Sequence, residues 1–142
     1  MLAVLAALAV AFPAAAEHAG KSHKLALQVS DNDPAKMNAV LNVAANVSKH
    51  YSNLGHEVEI EIVAFNAGLH MLREDTSPVK ERLANFTKSM SNVTFDACMN
   101  TVENMTKIEG KPVPLLSFAK KVPAGVVTLI ELGEHGWTIV RP

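Results

Sequence analysis

The strongest constraint on the fold of this chain is a strand–helix–strand run between residues 24 and 65. Lys24 to Ser30 (KLALQVS) alternates apolar and polar side chains, the period of a strand with one buried face. Met37, Val40, Leu41, Ala44, Val47, Tyr51 and Leu54 then recur at helical steps, which predicts an amphipathic helix of about five turns. Asp33 is placed to cap it by accepting from free backbone N–H groups, Pro34 suits its first position, and Gly55 is its natural stop. Glu57 to Phe65 (EVEIEIVAF) predicts a second strand, half exposed at first and buried on both faces from Val63 onward. Two strands joined by a crossover of this length lie parallel in one sheet.

The rest of the chain repeats the alternation. Asn66-Ala67-Gly68 ends the second strand, and Ser77-Pro78 opens a helix that continues through Val79, Leu83 and Phe86 to about Met90. Val93 to Ala97 (VTFDA) has the β-branched and aromatic content of a strand, with Cys98 directly after it. Met99, Val102, Met105 and Ile108 predict a third helix, stopped near Gly110. Val113 to Val122 follows Pro112 and has Pro114, a short apolar run and Lys120-Lys121, and is open between a loop and a short strand. Pro123-Ala124-Gly125 opens a segment that fits a helix better than a strand; Gly136 closes it, and Trp137 to Arg141 predicts the last strand. Strands alternating with crossover helices predict an α/β domain whose mostly parallel sheet is covered on both faces, with right-handed crossovers.

With 142 residues, the chain holds one domain's core. The formal net charge of -1 gives no basic field to neutralise phosphates, and one Trp and one Tyr make a poor stacking platform, so no nucleic-acid partner is expected. Met1 to Phe12 is continuously apolar, and Pro13 and Ala14-Ala15-Ala16 precede the first charge at Glu17. This pattern predicts a signal peptide over 1–16, a polar leader over 17–23 and the domain over 24–142. The apolar run is shorter than the roughly 20 residues that span a bilayer, so no membrane association is expected after cleavage. No Lys or Arg precedes it, for which the expected reason is a start codon placed too late; a buried helix or an uncleaved anchor is the alternative. The predicted location is the periplasm.

Several motifs fail on inspection. Gly20-Lys21-Ser22 ends like a phosphate-binding loop, but Ala15 stands where the first glycine belongs and no strand precedes it. No G-x-G-x-x-G follows the first strand, and there is no G-x-S-x-G nucleophile turn. Of the six histidines, His18 and His23 fall in the leader, His50 and His56 are six apart, and His70 and His135 stand alone; none has zinc-ligand spacing, and no metal is expected. The four N-x-S/T sequons are read as chance matches.

Cys98 is the sole cysteine, so no internal disulfide is possible. In open parallel α/β sheets, ligand and catalytic groups gather beyond the carboxyl ends of the strands, where Cys98 falls. It also stands at the start of a helix whose first residues include Asn100 and Thr101, and free N–H groups there favour a thiolate. Asp96, two residues back on the same side of the strand, opposes that shift in this reading. The alternative is a buried thiol acting as a small hydrophobe.

Three stretches carry a resemblance: VAFNAGLHMLRED (Val63 to Asp75), FDACMNTV (Phe95 to Val102) and PAGVVTLIELGEHGWTIVRP (Pro123 to Pro142). In order and spacing they resemble the DsrE/DsrF-like family of sulfur-transfer proteins, and in particular its exported stand-alone members. The resemblance covers the chain from about Lys24 to Pro142 and implies a three-layer α/β/α domain with about five strands, assembled as a homo-oligomer, a trimer or hexamer. In the relay members of the family, the cysteine after the third strand carries sulfur as a persulfide, and Cys98 occupies that place. The Asn66-Ala67-Gly68 turn matches the family's Asn/Gly turn beside the cysteine; Phe118 and Trp137 match as packing positions.

These readings together predict a periplasmic sulfur carrier, with sulfur donor and acceptor proteins as partners and no cofactor. Cys98 is the expected nucleophile, with Asn66, Gly68, Asn100 and Thr101 around the bound sulfur. The rival expectation is a non-catalytic oligomeric module that binds a small ligand or partner, with Cys98 filling space.

Overall fold

The computed structural model describes residues 20–142. The predicted signal peptide, His18 and most of the predicted leader lie outside these residues. In chain order the elements are β1 (Ser22–Val29), α1 (Pro34–Asn53), β2 (Glu57–Ala64), a 3-10 helix (Asn66–Leu72), α2 (Lys80–Ser89), β3 (Val93–Cys98), α3 (Met99–Glu109), β4 (Lys120–Val122), α4 (Gly125–Glu134) and β5 (Thr138–Val140). The five strands form one all-parallel sheet in the order β4-β3-β2-β1-β5. Helices cover both faces, a three-layer α/β/α arrangement.

The long helix forms for the reasons legible in its sequence. Asp33 Oδ1 accepts from the Ala35 and Lys36 N–H groups at 2.8 and 3.4 Å, Pro34 opens the first turn, and Gly55 leaves it with φ 69°. Met37, Val40, Leu41 and Ala44 form its buried stripe. Alternation sorts the strands: Val58, Ile60, Ile62 and Ala64 of β2 join the core under α1, α2 and α3, whereas Val63 and Phe65 point the other way, toward α4. The two faces are unequal. The first core holds twenty-one buried residues; the second holds Ala26, Val63, Phe65, Cys98 and Leu129 alone.

Three boundaries depart from expectation, and one open segment is decided. β1 starts at Ser22, so Ser22 and His23 belong to the sheet and not to the leader, because β2 offers pairing partners for them at Glu57 and Val58. The Asn66-Ala67-Gly68 turn extends into a seven-residue 3-10 helix. α2 is capped at Val79 and not at Ser77, whose hydroxyl instead donates to the Met71 carbonyl at 2.6 Å. Lys120-Lys121-Val122 resolves the open segment as a short edge strand, paired with Asp96-Ala97-Cys98.

The 3-10 helix is held firmly. Gly68 presses on β1 so closely that a Cβ there would lie 2.2 Å from the Val29 carbonyl oxygen, which is why glycine is required. Arg73, 1% exposed, bonds Asp75 through Nε and Nη2 and Glu109 through Nη1 and Nη2 at 2.7 to 3.0 Å, tying the end of this helix to the end of α3. Two-pronged bonding from a fixed guanidinium fork gives that tie its geometry.

Candidate functional site

The carboxyl ends of three neighbouring strands meet around Cys98. β2 leads into Phe65 and the 3-10 helix, β3 ends in the cysteine itself, and β4 leads through Pro123-Ala124 into α4. Between them lies a cleft of about 570 Å³. Asn66, Ala67 and His70 form one wall, Asn100, Thr101 and Asn104 line it from α3, and Ala124 and Gly125 close it from the start of α4. Met105, Ile108 and Val126 give it an apolar rim, with Ile108 76% exposed.

Cys98 is the N-cap residue of α3 and is 5% exposed, at the base of the cleft. Burial alone would raise its pKa. The donors around the sulfur outweigh burial: the Thr101 hydroxyl first, then the backbone N–H groups of Gly125, Thr101 and Asn100, so the thiol sits below its ordinary value of 9.0. Asn100 contributes least, as its N–H also donates to the Pro123 carbonyl at 3.2 Å. The sulfur closes no full cap hydrogen bond on α3. The N–H groups act on it by proximity and by the dipoles behind them, which favours an anion over a neutral thiol. Gly125 is the first residue of α4, so the starts of two helices face one sulfur atom. A Cβ at Gly125 would lie 3.0 Å from Cβ of Phe65, and glycine there lets α4 approach.

Thr101 is positioned by Asn66. The Asn66 backbone N–H donates to Thr101 Oγ1 at 2.9 Å, which leaves the hydroxyl's own proton free to be donated on the side of the cysteine. Asn66 has φ 49°, a left-handed conformation that asparagine tolerates better than most side chains. Of the residues expected around the sulfur, Asn66, Asn100 and Thr101 come together in the cleft. Gly68 is not among the lining residues; it packs backward against Val29 and Ser30 and shapes the wall from behind.

Asp96 behaves differently from the expectation that it opposes a thiolate. Its side chain is fully buried, and neither carboxyl oxygen has a hydrogen-bond partner. Burial, then the neighbouring Glu61 carboxyl, push its pKa up to about 8, against a smaller opposing pull from Lys120, whose Nζ lies 3.7 Å away. At pH 7 the protonated form predominates, so the group seldom places a full charge near the cysteine.

Three contributors were not legible as site residues: His70, Asn104 and the start of α4. His70 stands alone in sequence but shares the cleft because the 3-10 turn brings it to the same wall as Asn66. The PAG opening of α4 was visible as a helix start, and only the strand order shows that it meets Cys98. At the opposite end of the sheet, His23 Nε2 lies 3.1 Å from His56 Nδ1 and stacks on Tyr51 at 3.7 Å between centroids. Among the described residues no group of three or more His, Cys, Asp or Glu is arranged to hold a metal ion, and no helix is long and apolar enough to cross a membrane.

No family model and no curated protein matches the chain. Among solved structures it is similar to a protein of unknown function from Methanobacterium thermoautotrophicum, with 27% identity and a TM-score of 0.65. The match covers 84% of this chain and 99% of that one.

Proposed function

We propose that this chain is an exported sulfur carrier of the DsrE/DsrF-like kind, holding sulfane sulfur as a persulfide on Cys98 and passing it to an acceptor thiol. One observation carries the reading: a thiol held below its ordinary pKa by the Thr101 hydroxyl and the starts of two helices, at the base of a cleft whose lining has no Asp, Glu, Lys or Arg. A partly ionised thiol attacks divalent sulfur far faster than a neutral one.

The chemistry balances without metal or organic cofactor. The Cys98 thiolate attacks the outer sulfur of a donor persulfide R–S–SH; the new bond gives Cys98–S–SH as the R–S bond to that sulfur breaks and R–S⁻ leaves. An acceptor thiolate then attacks the same outer sulfur and returns Cys98 as a thiolate. Asn66, Asn100 and Thr101 surround the carried sulfur, with Gly68 supporting them. Periplasmic location rests on the apolar 1–16 segment. A homo-oligomer fits the half-exposed Val126, Val127 and Ile130 on α4, since apolar surface gathered on one helix favours burial against another chain.

The test is intact mass after incubation with sodium tetrasulfide, on protein purified without reductant. The expected result is one added sulfur atom, released by dithiothreitol and missing in Cys98→Ser. No adduct, or an adduct that persists in Cys98→Ser, overturns the reading.

A second reading, a non-catalytic oligomeric module with Cys98 as filler, draws on the low exposure of the thiol and the apolar surface of α4. It requires slow reaction of Cys98 with a thiol probe and unchanged partner binding in Cys98→Ala.

A further inference from the structure

Thirteen residues line the Cys98 cleft, and only two of them, Cys98 and His70, have side chains that can act as proton donors or acceptors in acid–base chemistry. The others are amides, one hydroxyl, one thioether and hydrocarbon. On the 3-10 helix wall, Arg73, Glu74 and Asp75 follow His70, but Arg73 is engaged with both Asp75 and Glu109, and Glu74 with Lys80. α3 turns Asn104, Met105 and Ile108 toward the cleft, and α4 turns Gly125 and Val126. The imidazole therefore has no charged rival there.

Its ring is anchored. His70 Nδ1 lies 2.7 Å from Thr76 Oγ1, and Nε2 has no hydrogen-bond partner among the described residues. A threonine hydroxyl both donates and accepts, so it holds the ring in either protonation state and leaves Nε2 as the working nitrogen. The helix that carries His70 is fixed at both ends of its buried side, by Gly68 against Val29 and by Arg73 against Glu109. Rigid support of this kind is what proton transfer at a defined atom needs.

Displacement at divalent sulfur is in line, so the departing sulfur lies on the far side of the transferred atom from the nucleophile. A group that protonates it stands across the cleft from Cys98 and not against it. We propose that His70 is that group: the catalytic acid that protonates the thiolate leaving from the sulfur donor. The inference rests on the carrier reading and gives His70 a role within it. In the loading step, Cys98–S⁻ and R–S–SH give Cys98–S–SH and R–S⁻. As the R–S bond breaks, the His70 imidazolium passes its Nε2 proton to the departing sulfur, so that R–SH leaves and neutral imidazole remains, and solvent returns the proton. No oxidant or reductant is consumed.

The consequence is selectivity for donors. Poor leaving thiolates, those of ordinary alkyl thiols such as a cysteinyl peptide or glutathione, depend on the acid, whereas good leaving groups do not.

The experiment compares wild type, His70→Gln and Thr76→Val. Loading of Cys98 is timed by intact mass with glutathione persulfide as donor, across pH, beside alkylation by iodoacetamide, whose departing iodide takes no proton. The expected result is a loss of about a hundredfold in loading for His70→Gln, as removal of an acid–base group generally gives, with the falling alkaline limb of the wild-type profile abolished. Thr76→Val shows the same pattern more weakly, and alkylation changes less than twofold in either variant. Loading by His70→Gln at the wild-type rate and with the wild-type pH profile overturns the role of His70 alone. So does an equal fall in loading and alkylation, which reports a disturbed cleft. Wild type that takes up no sulfur overturns the carrier reading and this inference with it.

Discussion

The two faces of the sheet divide labour. Under α1, α2 and α3, twenty-one buried residues interlock, all of them apolar. Under α4 the buried set has five members, the cysteine among them, and beside it lie the Asp96 carboxyl, which has no hydrogen-bond partner, and a partly buried Glu61. α4 itself leaves Val126, Val127 and Ile130 half exposed, and β5 adds Ile139 and Val140. One face is built for packing density. The other gives up packing to hold ionisable groups in a poorly hydrated setting, where burial and nearby dipoles move proton affinities furthest.

The comparison is sharpened first by core truncations. Leu72→Ala in the larger core is expected to cost about 3–5 kcal/mol, against about 1–2 kcal/mol for Leu129→Ala under α4, because the thinner layer can close over the gap. Urea unfolding measures both, and equal losses would remove the asymmetry.

Asp96 supplies the next effect, with opposite sign. Its folded-state pKa, about 8, lies above the ordinary 3.8, so between those values the folded state binds a proton that the unfolded state releases. The stability it contributes is complete below about pH 4 and is lost as pH rises through 8. Asp96→Asn should flatten that decline and stabilise the protein by about 1–3 kcal/mol at pH 8. Unfolding free energies at pH 5 and pH 8 test it, and a wild type that gains stability over that interval would refute the sign.

The smallest expected effect is local to the sulfur. Thr101→Val removes the principal donor to the thiolate, so the midpoint of the iodoacetamide rate against pH should move upward. The rate at pH 7 should fall roughly tenfold, the size of one hydrogen bond to a charged acceptor. An unchanged midpoint would assign the depressed pKa to the helix starts alone.

Much of the fold was legible because it rests on local chemistry. The period of α1, its Asp33 cap and Gly55 stop, and the alternation in β2 are written in neighbouring residues, and the structure follows them. Where the sequence reading stopped short, the deciding contact was distant. Ser22 and His23 look like a polar leader until β2 lies beside them. Lys120-Lys121-Val122 has no strand signal of its own, and pairing with β3 makes it one. The site shows the same split. Cys98 at a strand end with Asn100 and Thr101 following was readable from the order of residues. The role of Gly68 was not, because its neighbour is the carbonyl of Val29, thirty-nine positions earlier.

By itself, the sequence determined the class of fold, the parallel sense of the first two strands and the position of the one thiol at a helix start. Periodicity, capping and turn residues act over a few positions, and those are the distances over which these features are decided. Only the tertiary structure decided that α4 would begin against the same sulfur, that the Asn66 N–H would hold Thr101 Oγ1 beside it, and that His70 would share its cleft. It also decided that Asp96 would be buried beside Glu61 and so hold a proton at neutral pH. Those facts depend on which strands become neighbours, and burial together with through-space electrostatics, not residue type, sets the chemistry of the groups brought together.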